Sequence, residues 1–138
     1  MSDPGAVARE YFEAWNRRDW DRFRELYHAE YSYSGVGGKR QGPEGHLAIA
    51  QMFAGAFPDG RIELQHVYTV GAVAITEFVG RGTHQGDVMG IPATGQPVSM
   101  PVCNVIEVRD GKIYAEREYM DLAHMMQQLG VMPVPATA

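Results

Sequence analysis

The sequence predicts an α+β fold, a curved antiparallel sheet wrapped around N-terminal helices. Three observations predict it. Apolar residues recur at helical spacing through the first part of the chain. From Arg61 onward the apolar pattern turns strand-like, with period-two alternation in its longer runs. Asp110-Gly111, the strongest short hairpin signal, joins the last two strand-like runs. Helices followed by a run of strands bury their apolar stripes on one side of a sheet. The junction between the two layers is the default place for a ligand pocket.

Each element has its own warrant. Val7, Ala8, Tyr11, Phe12 and Trp15 form one stripe of a first helix, and the pattern breaks over 16–18. Asp19 is a good N-cap for a second helix carrying Trp20, Phe23, Leu26 and Tyr27. Residues 31–34 alternate as a short strand before the glycines at 35, 37 and 38 turn the chain. Gly42-Pro43-Glu44 opens a third helix with Leu47, Ala50, Phe53 and Phe57 on its apolar side, and Pro58-Asp59-Gly60 ends it. Strands are expected over 61–70, 72–81, 98–108 and 112–121, with a Gly/Pro loop over 86–97. A last helix over 122–129 stops at Gly130, and 131–138 is a tail beyond an ordered core of about 5–130.

Composition narrows the function. With 138 residues the chain fits a single domain with a real core. A net charge of −5 argues against a nucleic-acid footprint, which needs clustered Lys and Arg. No apolar run approaches the roughly 20 residues of a membrane span, and no secretory leader is visible. Cys103 is the single cysteine, which excludes an intrachain disulfide and fits a reducing, cytoplasmic setting. His28, His46, His66 and His124 lack metal-ligand spacing, and there is no HExxH, GxGxxG, P-loop or GxSxG. No metal and no cofactor are expected.

The hairpin permits a register calculation. With Asp110 and Gly111 at the centre of a type I′ turn, Asn104 faces Arg117, Val102 faces Tyr119 and Met100 faces Asp121. That register puts Met100, Val102, Asn104, Ile106, Arg117, Tyr119 and Asp121 on the more apolar, inner face. Cys103, Tyr114, Glu116 and Glu118 fall on the other face, and a bulge would reverse the assignment.

Four stretches together resemble the SnoaL-like polyketide cyclases, also called ester cyclases, of the nuclear transport factor 2-like superfold. They are Glu10-Tyr11-Phe12-Glu13-Ala14-Trp15-Asn16-Arg17-Arg18-Asp19, Phe57-Pro58-Asp59, Gly82-Thr83-His84-Gln85-Gly86 through Gly90-Ile91-Pro92-Ala93-Thr94-Gly95, and Asp110-Gly111-Lys112-Ile113 with Asp121 and Gln127-Gln128-Leu129-Gly130. The resemblance implies an α+β cone or barrel around a deep hydrophobic pocket. It implies assembly through the sheet as a homodimer or homotetramer. It also implies a cofactor-free reaction, the intramolecular aldol closure of a polyketide ester, with Asp121 as general acid/base. The sequence departs from the pattern at Arg117, where the family usually has Trp, and at Glu116, often His.

The candidate site follows from these readings. Asp121 is the expected acid/base; its bland alternative is a cap on the helix that follows. His84 is a second acid/base candidate, with orientation of its loop as the alternative. Asn104 and Arg117 are expected to hold a substrate carbonyl or an enolate oxygen, or simply each other. Tyr119 is read as pocket wall. Among the aromatic residues, Trp15, Tyr33 and Phe53, together with Met100, are expected to meet a flat hydrophobic ligand. The leading function is an enzyme of the cyclase type. The alternatives are a binding protein for a hydrophobic small molecule, anchored by Arg117, or a diverged lyase, isomerase or hydrolase on the same pocket.

Overall fold

A computed structural model describes residues 3–133, so only residues 131–133 of the expected tail can be compared with it. The chain runs α1 (Pro4–Arg17), α2 (Trp20–Glu25), β1 (Tyr27–Gly35), β2 (Gly38–Gln41), α3 (Pro43–Ala56), β3 (Arg61–Val70), β4 (Val73–Thr83), β5 (Pro97–Arg109), β6 (Lys112–Met120) and α4 (Leu122–Leu129). The six strands form one curved sheet in the order β2-β1-β6-β5-β4-β3. Its edges, β2 and β3, do not pair, so the sheet stays open rather than closing into a barrel. The pairings are antiparallel except between β1 and β6, which run parallel.

The local signals act where they stand. Asp3 and Asp19 accept hydrogen bonds from the backbone N–H groups of Gly5 and Arg22, starting α1 and α2. Pro43 occupies the first turn of α3, and Gly130 takes the left-handed conformation that ends α4. Asp110 and Gly111 both have positive φ, 54° and 71°, as a type I′ turn requires. The second helix is shorter than its apolar spacing predicts. Leu26 caps it, and Tyr27 already belongs to β1, where it buries its ring among aromatic residues. The four residues of β2 carry no apolar pattern and are all exposed, so no periodicity marks this strand in the sequence.

The core lies between the concave face of the sheet and α1, α3 and α4. Val7, Ala8, Tyr11, Phe12 and Trp15 are buried on α1, as the spacing predicts. Opposite them, Ala74, Thr76 and Phe78 of β4 and Met100, Val102, Asn104, Ile106 and Val108 of β5 point inward. The expected inner face of β5 is therefore the observed one.

Candidate active site

Strand β6 departs from the expected register. Val108 faces Ile113, as the turn dictates, but Glu107 faces Ala115 and Asn104 faces Glu118. Two residues of β6, Tyr114 and Ala115, occupy the span of one on β5, which is a β-bulge. The β1–β6 pairing jumps at the same place, from Tyr27↔Ile113 to Ser32↔Ala115. Tyr114 packs against His28 and the guanidinium of Arg109, 3.7 Å above its ring. Beyond the bulge every side chain changes face. Glu116, Glu118 and Met120 line the interior, and Arg117 and Tyr119 face outward.

The result is a mostly apolar cavity between helices and sheet. Phe12, Trp15, Phe53, Phe57, Phe78 and Met100 supply much of its wall. The polar exceptions are His46, Asn104, Glu116, Glu118 and the hydroxyl of Tyr11, together with the exposed Arg61 and Arg81. The first five are joined by one hydrogen-bond network. Glu116 Oε1 accepts from the Tyr11 hydroxyl at 2.8 Å and the Tyr31 hydroxyl at 2.7 Å. Glu116 Oε2 accepts from Asn104 Nδ2 at 2.5 Å. Glu118 Oε1 accepts from the Tyr33 hydroxyl at 2.8 Å, while its Oε2 has only a long 3.5 Å contact with the same Asn104 nitrogen. His46 Nδ1 meets the hydroxyls of Tyr11 and Tyr27.

Burial controls the electrostatics. Desolvation pushes the Glu116 carboxyl up, and the donors Tyr31, Tyr11 and Asn104 pull it partly back. Desolvation also pushes Glu118 up, and the neighbouring Glu116 charge adds to the rise. The two carboxyls titrate as a pair. Burial lowers His46 to about 4, so its imidazole is neutral near pH 7. Burial and the Glu116 charge raise Tyr27 and Tyr31, which keeps their hydroxyl protons in place. Glu116 thus accepts three hydrogen bonds over its two oxygens, whereas Glu118 accepts one firm bond and keeps an oxygen with spare capacity, an arrangement that suits general acid/base chemistry.

The sequence-predicted residues divide. Asn104, Trp15, Phe53 and Met100 line the cavity. Tyr33 is buried beside it and acts on Glu118. Arg117 is a correction: the bulge turns it outward, where its Nη1 pairs with Glu107 at 3.0 Å. Tyr119 is turned outward for the same reason and is exposed. Asp121 lies one residue past β6 and is exposed, its Oδ1 accepting from the His124 N–H at 3.0 Å as the cap of α4. It borders a shallow outer depression with Cys103 and Tyr119, not the inner cavity. His84 is fully buried away from the cavity wall, its Nδ1 accepting from the Thr94 N–H at 3.1 Å. The loop that follows is tied to α3 by the Gln85 and Gly86 N–H groups donating to the Ala56 carbonyl. A side chain at 86 would bring a Cβ within 2.6 Å of the Gly55 carbonyl oxygen, so the motif glycine is a packing requirement. Glu116, Glu118 and His46 are the site residues that sequence reasoning missed. Among the described residues, no group of three metal-ligating side chains is present.

Known proteins share this architecture. The family model for the SnoaL-like polyketide cyclase matches residues 5–129. Aklanonic acid methyl ester cyclase DnrD of Streptomyces peucetius is 29% identical over 134 residues, covering 94% of this chain and 92% of that protein. The corresponding DauD cyclase of Streptomyces sp. (strain C5) is also 29% identical, covering 94% and 83%. IdmH of Streptomyces antibioticus, a proposed polyketide cyclase, superposes with a TM-score of 0.82 at 31% identity, covering 94% of this chain and all (100%) of that one. With the matched segment spanning nearly all of α1 through α4, the chain belongs to the SnoaL-like polyketide cyclase family.

Proposed function

We propose that this protein closes a ring in a hydrophobic polyketide ester, by a cofactor-free intramolecular aldol-type reaction inside the inner cavity. The observation that supports it most is a carboxylate–tyrosine network set into an otherwise apolar, aromatic-walled cavity. Flat aromatic walls suit a polycyclic ligand. A buried carboxylate with a raised pKa suits removal of a carbon-bound proton flanked by two carbonyls. The 29% identity to two aklanonic acid methyl ester cyclases supports a methyl ester of that general kind as substrate.

Asp121 is the acid/base that the family motif nominates. For it to act on a cavity-bound substrate, the first turn of α4 must release the Oδ1 that now caps it. The binding-protein alternative loses its expected anchor, because Arg117 lies on the outer face. Among the described residues, no helix is long and apolar enough to cross a membrane. The same reading includes a cytoplasmic enzyme that self-associates through the outer sheet face, where Tyr68, Val70 and Tyr119 are exposed.

The test is incubation of the purified protein with an anthraquinone-type polyketide methyl ester, without added metal or cofactor. A product of unchanged mass with a closed ring is expected. Saturable binding with no product would move the assignment to a binding protein.

A further inference from the structure

We propose that Gly80 of β4 sets the width of the cavity, and that the flat ring system of the ligand lies against the strand backbone where this side chain is missing. This rests on the reading of a flat, hydrophobic, polycyclic substrate. Alternation along β4 turns Ala74, Thr76, Phe78, Gly80 and Gly82 toward the helices. The first three are buried. The last two have no side chain, and both line the cavity.

The two glycines have different causes. A Cβ at 82 would stand 2.9 Å from the Phe57 Cβ and 3.2 Å from the Gly60 Cα, so the turn after α3 already fills that space. A Cβ at 80 would meet nothing nearer than Phe78 Cε1 at 3.8 Å and the Met100 carbonyl oxygen at 4.0 Å. Gly80 is not among the residues with positive φ, so a residue with a side chain can take its backbone conformation. A glycine inside a strand weakens it, and recurs at bulges, at sharp bends or where a ligand or another backbone comes close. Gly80 pairs with Ile62 on β3 and Met100 on β5, and the register is regular on either side of it, so it marks no bulge. No protein backbone covers it. The space above it belongs to the cavity.

That space has an apolar frame. Ile62 and Met100 flank Gly80 on the same face of the sheet, and Phe78 stands two residues along the strand. The N–H and C=O of Gly80 lie in the ladder, so its contact with a ligand runs through the Cα. A ring carbon at the usual ~3.5–4.0 Å from that Cα occupies the place a Cβ would take. The seat therefore selects by shape, while Asn104, Glu116 and Glu118 supply the polar contacts elsewhere on the wall.

The experiment measures binding of two probes through quenching of tryptophan fluorescence, Trp15 being part of the wall. One probe is a β-keto methyl ester on an anthraquinone, and the other is its single-ring benzoyl counterpart. Wild type, Gly80→Ala and Gly80→Leu are compared, each with urea unfolding. Overpacking is expected to weaken the anthraquinone probe about tenfold in Gly80→Ala and about a hundredfold in Gly80→Leu. The single-ring probe is expected to stay within about threefold of wild type in Gly80→Ala. The urea midpoint of Gly80→Ala is expected at or above that of wild type, because alanine suits a strand interior better than glycine. Gly80→Ala decides the matter if Gly80→Leu does not fold. Unchanged anthraquinone affinity in every folded variant overturns this assignment and leaves the ring-closure reading intact. Equal losses for the two probes in Gly80→Ala overturn it as well. A lowered urea midpoint in Gly80→Ala makes Gly80 a packing or bending residue and also overturns it. A wild type that does not bind the anthraquinone probe overturns both this assignment and the ring-closure reading.

Discussion

Two carboxylate positions lie three residues apart along the chain, and they differ in almost every physical respect. Glu118 stands before the end of β6 on the cavity side, among tyrosines and an asparagine. Asp121 stands just past the end of β6, in solvent, bonded to the first turn of α4. Desolvation and a neighbouring charge push Glu118 up. The comparison teaches that residue type nominates a base, but burial and donor supply decide whether it can serve as one.

The largest way to break the contrast is to delete each carboxylate in turn. Glu116→Ala leaves the buried donors of Tyr11, Tyr31 and Asn104 unpaired, a cost of about 2–4 kcal/mol. Asp121→Ala removes a helix N-cap and costs about 1 kcal/mol. Urea unfolding of the two variants side by side measures the difference, and equal losses would dissolve the contrast.

Titration sharpens it further. Folding raises Glu116 and Glu118, so the folded state binds more protons than the unfolded state above the ordinary glutamate value of 4.5. Their contribution to stability is therefore present at low pH and lost as pH rises through the raised values. His46 works the other way. Its pKa falls from 6.5 to about 4, so its contribution is present above 6.5 and lost as pH falls toward 4. Each full proton is worth at most about 1.4 kcal/mol per pH unit. Glu118→Gln is expected to flatten the decline at rising pH, and His46→Gln the decline at falling pH, as read from unfolding free energies across the pH range.

Much of the fold was legible because its signals are local. The α1 stripe, the Asp19 cap, the Pro43 start, the Asp110-Gly111 turn and the Gly130 stop each depend on a few adjacent residues. The inward set of β5 followed from alternation alone, and it delivered Asn104 and Met100 to the cavity. The face of β6 was not legible from the hairpin. Its register depends on Tyr114, which packs against Arg109 across the turn and His28 from a distant part of the chain. One signal was present in the sequence. Tyr27, Tyr31 and Tyr33 share one parity, and buried tyrosine hydroxyls need acceptors. An acidic partner on the neighbouring strand was their natural complement.

The sequence by itself therefore determined the α+β class, the order of the elements apart from β2, the inner face of β5 and, through its motifs, the family. Those properties arise from short-range propensity and periodicity, which the chain carries in any conformation. Only the tertiary structure decided which carboxylates are buried. A single extra residue in β6 reverses every side chain beyond it, and the forces that place that residue come from strands brought together by the fold.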